Sequence, residues 1–319
     1  MIISLQKNLS AADRRALGLE LARLLPGCRL RRSPSGLAAA VPGQKAADLV
    51  PLLENLAGVA GVSLSETELF PLACAGLKKF SSPLDFGKGP VFIAGPCAVE
   101  EEESYLASAS ALKAAGAHAL RAAIFKPRSS PYAFQGLGWA GLKIIAKAKK
   151  ITGLPLVTEA TDTRQVGRLS AVCDILQIGA RNMRNYELLK ETGRSGRAVL
   201  LKRAMRATLR EWLLSAEYLL KHGAKKLILC ERGDSVFSSD SPGLDFGLMR
   251  EAKKLTGFPV LADPSHASRN RGIARTLAFK ALRSGADGLL IEAALSPCDA
   301  RMDGRQTITV ETFREITAG

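Results

Sequence analysis

The chain has 319 residues, 47 % hydrophobic and 24 % charged, which is room for a sizeable core in one large domain, or one large and one small. No apolar run reaches the roughly 18 residues of a membrane span, and MIISLQKNLSAADRR lacks the basic-then-apolar layout of a secretory leader, so a cytoplasmic protein is expected. The net charge of +15 admits nucleic acid, phosphorylated substrates or a solvated surface, but there is no dense Lys/Arg tract, no RRM or helix-turn-helix signature, and only 5 % aromatics, which argues against nucleic acid.

Residues 1–75 read as a small unit. IISLQ is a short strand, and Ser10 can cap a helix from Ala11 to Leu25. CRLRRS and LAAAVP are short strands separated by Pro-Ser-Gly, a turn signal. AADLVPLLENLAGV is a second helix, with Pro51 near its first turn, and GVSLSET is a last strand. The order βαββαβ is that of a ferredoxin-like domain, and it carries no catalytic constellation. FPLACAGLKKFSSPLDFGKGP then reads as a linker, rich in Pro, Gly and Ser.

From residue 91 apolar runs alternate with amphipathic stretches such as EEESYLASASALKAAG and TLREWLLSAEYLLKHG. The runs are VFIAG (91–95), ALRAAIF (119–125), LPLVTE (154–159), DILQIG (174–179), AVLLK (198–202), KLILC (226–230), FPVLAD (258–263) and DGLLIE (287–292). Near-continuous apolar strands alternating with helices predict a parallel sheet covered by helices, and eight such units fit a (β/α)8 TIM barrel over residues 76–319. The alternative is a doubly wound open sheet, which would usually carry a Gly-rich phosphate loop after the first strand; GPCAVEE is not one.

A barrel of this kind works at the C-terminal ends of its strands. There the sequence places Cys97; then Arg121, Lys126 and Arg128; then Glu159; Gly179, Ala180, Arg181 and Asn182; Lys202 and Arg203; Glu231 and Arg232; Asp263, Ser265 and His266; and Glu292, with Asp303 beyond it. A ring of Arg121, Lys126, Arg128, Arg181, Lys202 and Arg232 would repel itself without an anion, so phosphorylated substrates are expected. Any one of these cations alone would pass as surface solvation. Cys97, His266, Glu292 and Asp303 fall at the ends of strands one, seven and eight, which are neighbours once a barrel closes. They suit a borderline divalent metal such as Mn, Fe, Co or Zn. The other reading of the same four is a buried Cys, a His satisfied by Asp263 and two solvated acids. The six cysteines are scattered without a CxxC pair, so neither a zinc finger nor a disulfide framework is indicated.

GPCAVE, LRAAIFKPRSSPYAFQGLG, VTEA, QIGARN, LLKRAM, LCERG, LADPSH and IEAALSP followed by DG, in this order, resemble the 3-deoxy-D-arabino-heptulosonate 7-phosphate (DAHP) synthases. The type resembled has an N-terminal ferredoxin-like domain and a barrel shared with 3-deoxy-D-manno-octulosonate 8-phosphate synthases. The resemblance covers nearly the whole chain. It implies condensation of phosphoenolpyruvate with erythrose 4-phosphate, the entry to aromatic amino-acid biosynthesis. It puts metal ligands on Cys97, His266, Glu292 and Asp303, and phosphoenolpyruvate contacts on Arg121, Lys126, Glu159, Ala180, Arg181, Lys202 and Arg232. Aldose-phosphate contacts fall on Lys126, Pro127, Arg128 and Ser129, and Lys126, Cys97 and His266 are the catalytic candidates. A homo-oligomer, dimer or tetramer, is implied, and residues 1–75 are an oligomerisation or regulatory module, with Phe or Tyr as effector in the second case. The chain departs from the pattern at Ala122-Ala123 and Ala204, where glycines are usual, and at Ala293-Ala294-Leu295, where Val-His-Pro is usual. It departs again in Ala267-Ser268-Arg269, where a glycine is usual. Added methyls near a ligand can clash, so another aldose phosphate or a non-catalytic phospholigand-binding barrel are the alternatives.

Overall fold

The computed structural model describes residues 1–34, 36–41, 43–76, 83–234 and 243–319, which form two compact units, Met1–Ala75 and Gly76–Gly319. Among them no helix is long and apolar enough to cross a membrane.

The first unit follows the βαββαβ order. Strand β1 (Ile2–Leu5) leads to helix α1 (Ala11–Leu24), which starts where Ser10 forms a capping box with Asp13. Strands β2 (Leu30–Ser33) and β3 (Gly36–Ala39) follow, then helix α2 (Gly43–Glu54) and strand β4 (Val59–Ser63). The sheet is antiparallel in the order β2-β3-β1-β4, the ferredoxin-like arrangement. Its core is Ile3, Leu17, Leu21, Ala46 and Leu53. Helix α2 begins three residues earlier than AADLVPLLENLAGV suggests, so Pro51 lies late in the helix and not in its first turn. Pro51 has no N–H for the Ala47 carbonyl, and the helix ends within a turn of it.

The expected linker is helical at its start. Ser65 and Glu68 form a second capping box for α3 (Glu66–Leu69), and α4 (Pro71–Ala75) follows the buried Phe70. Residues 77–82 of that linker, and Ser35 of the Pro-Ser-Gly turn, lie outside the described residues.

In the second unit the eight apolar runs become β5 (Val91–Gly95), β6 (Ala119–Arg121), β7 (Leu156–Ala160), β8 (Ile175–Ile178), β9 (Ala198–Lys202), β10 (Leu227–Glu231), β11 (Val260–Ala262) and β12 (Gly288–Ala294). The helices that return the chain are α5 (Glu102–Ala114), α6 (Gly141–Thr152), α7 (Thr163–Val172), α8 (Tyr186–Arg194), α9 (Leu209–Lys221) and α10 (Phe246–Thr256). After β11 come the short α11 (Pro264–Ser268) and then α12 (Arg271–Arg283). After β12 come β13 (Ile308–Thr309) and α13 (Val310–Ala318). Each of the eight strands pairs in parallel with the next, and β12 pairs with both β11 and β5. The sheet therefore closes on itself as a (β/α)8 barrel, not as an open doubly wound sheet.

The barrel axis is filled at the N-terminal end by an apolar layer that includes Val91, Ala119, Val157, Ile175, Leu200 and Cys230, and Leu84 and Phe86 pack on that cluster ahead of the first strand. The run ALRAAIF pairs as strand only to Arg121. Beyond it the chain folds back on itself: Lys126 N donates to Gln135 O, and Gly138 N to Ile124 O, both at 2.8 Å.

Candidate active site

Side chains alternate along a strand, so the residue two after an inward apolar one faces the axis nearer the C-terminal end. The step takes Ala119 to Arg121, Val157 to Glu159, Ile175 to Gln177, Leu200 to Lys202, Cys230 to Arg232, Leu261 to Asp263 and Leu290 to Glu292. One layer of the barrel is apolar and the next is almost wholly ionisable. That change, inside strands otherwise made for a core, has no packing benefit and marks the site.

The charges are paired across strands. Lys126 Nζ donates to Glu159 Oε2 at 2.8 Å, Lys202 Nζ donates to Asp263 Oδ2, and Arg121 Nη2 lies 3.2 Å from Glu292 Oε1. Burial works against the ionised carboxylates, but Lys126 outweighs it at Glu159, and His266 with Lys202 holds Asp263 well below the usual range. Burial likewise opposes the Lys126 ammonium, yet Cys97 and Glu159 keep its pKa above the ordinary value. Arg203 and Glu231 face each other instead of the mouth. Arg203 donates to Glu231 and to the Ala207 carbonyl and lies 3.0 Å from Asp234, tying the loops after β9 and β10 together.

Above this layer is a cavity of about 600 Å³. Lys126, Pro127 and Arg128 line it from the β6 loop, Glu159, Ala180 and Arg181 from the next two strands, Lys202 and Arg232 from β9 and β10. Cys97, His266 and Asp303 complete the other side. Arg121 and Glu292 do not line it; both are buried, at 2 % and 0 % exposure. Ser129 is exposed and outside the lining. Ala122, Ala123, Ala204 and Ala294 are not among its lining residues either. The wall also includes Arg269, from the loop that departs from the family pattern, and Gln177, Met205, Met302, Arg305 and Gln306, which the sequence does not single out. Gln177 was within reach of the alternation rule, two residues after Ile175. The others sit in loops with no periodicity to betray them.

Cys97, His266, Glu292 and Asp303 converge, with one ligand atom from each within 4.8 Å of all the others. Burial, then Glu292, pushes the Cys97 thiol far up, and its Sγ donates to Asp303 Oδ2 at 3.0 Å. His266 Nδ1 lies 2.8 Å from Asp263 Oδ2, which leaves Nε2, 3.5 Å from Glu292 Oε1. Glu292 Oε2 accepts from Gln306 Nε2 at 2.7 Å, whereas Oε1 is buried without a hydrogen bond. A buried carboxylate oxygen with an ion pair to Arg121 but no hydrogen bond, beside an imidazole nitrogen, a thiol and a second carboxylate, fits a divalent cation, and the N, O and S donors fit one of borderline softness.

The model of the DAHP synthetase I family matches residues 80–318. A phospho-2-dehydro-3-deoxyheptonate aldolase of Thermotoga maritima is 40 % identical over 225 residues, 70 % of this chain and 67 % of that protein. A 2-dehydro-3-deoxyphosphooctonate aldolase of Desulfatibacillum aliphaticivorans is 32 % identical over 247 residues, 71 % of this chain and 89 % of that one. Among solved structures, a phospho-2-dehydro-3-deoxyheptonate aldolase (DAHP synthase) from Thermotoga maritima superposes with a TM-score of 0.81 at 32 % identity, covering 99 % of this chain and 95 % of its own.

Proposed function

The chain belongs to the DAHP synthetase I family, and from that membership we propose how its own residues divide the reaction. It is a transferase that joins phosphoenolpyruvate, erythrose 4-phosphate and water into 3-deoxy-D-arabino-heptulosonate 7-phosphate and phosphate, the first step of the shikimate pathway. In our reading Arg181, Lys202 and Arg232, with the Ala180 backbone, hold the phosphate of phosphoenolpyruvate. Arg121 and Lys126 take its carboxylate; Arg121 Nη1 is buried with no hydrogen-bond partner among the described residues, a donor in want of an acceptor. Arg128, with Lys126, Pro127 and Ser129, takes the aldose phosphate at the rim.

Cys97, His266, Glu292 and Asp303 would hold a divalent ion (Mn, Fe, Co or Zn), which when bound would polarise the aldehyde as a Lewis acid. C3 of phosphoenolpyruvate then bonds to the aldehyde carbon, and the carbonyl electron pair moves to its oxygen. Lys126, kept protonated, gives that oxygen a proton. Water adds at C2, and the proton it releases returns to Lys126 through Glu159, 2.8 Å away. The C2–O bond to phosphate breaks, the C2 hydroxyl proton leaves with the phosphate, and the ketone remains. Arg181, Lys202 and Arg232 stabilise the charge on the departing phosphate without reorganising.

The observation that carries this reading is the ionisable layer paired across five strands and their ends beside a four-donor cluster. The test is phosphate release from phosphoenolpyruvate with a panel of aldose phosphates, with Mn²⁺ or EDTA. Turnover with erythrose 4-phosphate that EDTA stops supports it. Equal turnover in EDTA would remove the metal, and preference for arabinose 5-phosphate would move the chain toward the octulosonate branch. We also read residues 1–75 as an oligomerisation module that can bind an aromatic amino-acid effector, in a cytoplasmic homo-oligomer; their ferredoxin-like fold is the support.

A further inference from the structure

We propose that Arg269 is a further phosphate ligand of this enzyme, a third guanidinium that closes over the phosphoenolpyruvate phosphate from the rim. The inference rests on the reading that Arg181 and Arg232 hold that phosphate.

Arg269 is the residue that ends α11, with φ 53° and ψ 19°, and its N–H donates to the Ser265 carbonyl at 3.0 Å. That is the left-handed turn that closes a helix, where glycine fits without steric cost and a side chain does not. Among the described residues only Arg206, Arg269 and Asp303 are non-glycine residues with positive φ, and all three lie on loops at the C-terminal end of the barrel. Backbone held in a costly conformation at a site persists when the side chain it carries is needed there.

What the side chain reaches gives the reason. Arg269 lines the cavity together with Arg232 and Arg181, both it and Arg181 near enough to act on the Arg232 charge, and no described residue gives its guanidinium a hydrogen bond or an ion pair. The buried Arg232 feels it: burial lowers its pKa most, and Arg269 and Arg181 lower it further, against the opposing pull of Asp263 and Glu231. Among the described residues, the carboxylates that line the cavity are engaged elsewhere, Glu159 with Lys126 and Asp303 with Cys97, and the buried Asp263 pairs with Lys202 and His266. A bound anion would give the Arg269 guanidinium a partner. A phosphate offers three peripheral oxygens and close to two negative charges, enough for forked donors from three directions, which a carboxylate cannot satisfy. An arginine that was merely solvated would need neither this wall nor this backbone.

The test uses the metal-loaded full chain with Arg269→Gly, Arg269→Gln and, as a reference, Arg232→Ala. KM is measured for phosphoenolpyruvate and for erythrose 4-phosphate, together with thermal melting. Arg269→Gly is expected to raise the KM for phosphoenolpyruvate by about fivefold to tenfold, the size of one partly screened charge-assisted contact. The KM for erythrose 4-phosphate should change less than about twofold on the same grounds, and Tm should equal or exceed that of the parent because the turn is relieved. Arg269→Gln removes the charge and keeps a shorter side chain, and should show the same loss. If Arg232→Ala weakens phosphoenolpyruvate but neither Arg269 variant does, the inference is wrong and the site reading stands. If the loss appears in erythrose 4-phosphate instead, Arg269 serves the other phosphate and the inference is also wrong. If Arg232→Ala itself leaves phosphoenolpyruvate unaffected, the site reading fails and takes the inference with it.

Discussion

Glu159 is held by what stands on either side of it. Lys126 takes Oε2, and Oε1 lies against Gly179, where an added Cβ would come within 2.0 Å of that oxygen. Gly179 has φ −67° and ψ 160°, a conformation any residue adopts, so the glycine is there for space alone. Gly179→Ala should therefore fold but displace Glu159 from Lys126. We expect kcat/KM for phosphoenolpyruvate to fall by at least about tenfold, the worth of one misplaced charged hydrogen bond, while Tm drops by only a few degrees. Steady-state kinetics beside a melting curve checks this, and unchanged kinetics would mean the Lys126–Glu159 pair is not used in the reaction. The residues that sequence reading identified share a property with Glu159: they sit on strands, where period-two alternation and the position of the strand end fix direction. Arg305 and Met302 have no such frame, and Ser129, a motif residue, lies in a loop outside the cavity lining.

Among the elements, the loop from Ala122 to Ala140 departs most from its sequence pattern. ALRAAIF has the composition of a seven-residue strand, yet only Ala119–Arg121 pairs as one. The alternation does not reveal the early exit, because its cause lies ahead in sequence. Gln135 and Gly138 return to bond Lys126 and Ile124, and Gly136 passes against the Ile124 carbonyl. At Gly136, φ is +95° and an added Cβ would stand 2.2 Å from Ile124 O. Gly136→Ala is expected to cost about 1–3 kcal/mol of stability and to loosen the loop that presents Lys126 and Arg128. A urea titration reads the first effect and the KM for erythrose 4-phosphate the second; a variant as stable as the parent would show that the loop can be rebuilt without this return. Pro51 teaches the same lesson in the small unit. Proline is expected at a first turn, but α2 starts at Gly43, ahead of its apolar pattern, and the sequence gives no marker for that earlier start.

For the molecule as a whole, the buried charges set a pH window. Glu159 and Asp263 have folded pKa values below their unfolded ones, so near pH 4 and below the unfolded chain binds more protons. Their contribution to stability is complete above about pH 5 and is lost as the pH falls through the folded values. Cys173 and Cys230 act at the other end. Burial pushes the Cys173 thiol up to about 12, and Cys230 higher, so the unfolded chain loses protons first and stability declines as the pH rises past about 8.5. The urea midpoint should be flat between about pH 5 and 8 and fall on both sides; a midpoint that rises from pH 5 to 3 would show that the carboxylates are not held ionised. The eight-strand ring and the ionisable layer were legible from the sequence because both follow from repetition, whereas Leu84 and Phe86 were assigned to a linker that has no repeat to be part of. Those two side chains have a bearing on traffic. They pack on the apolar layer at the strands' starting end, so the barrel is a cup and not a tube. Whatever enters must leave by the opening through which it came. Released phosphate departs past the same arginines that must receive the next phosphoenolpyruvate, and spent and fresh anions compete for one doorway.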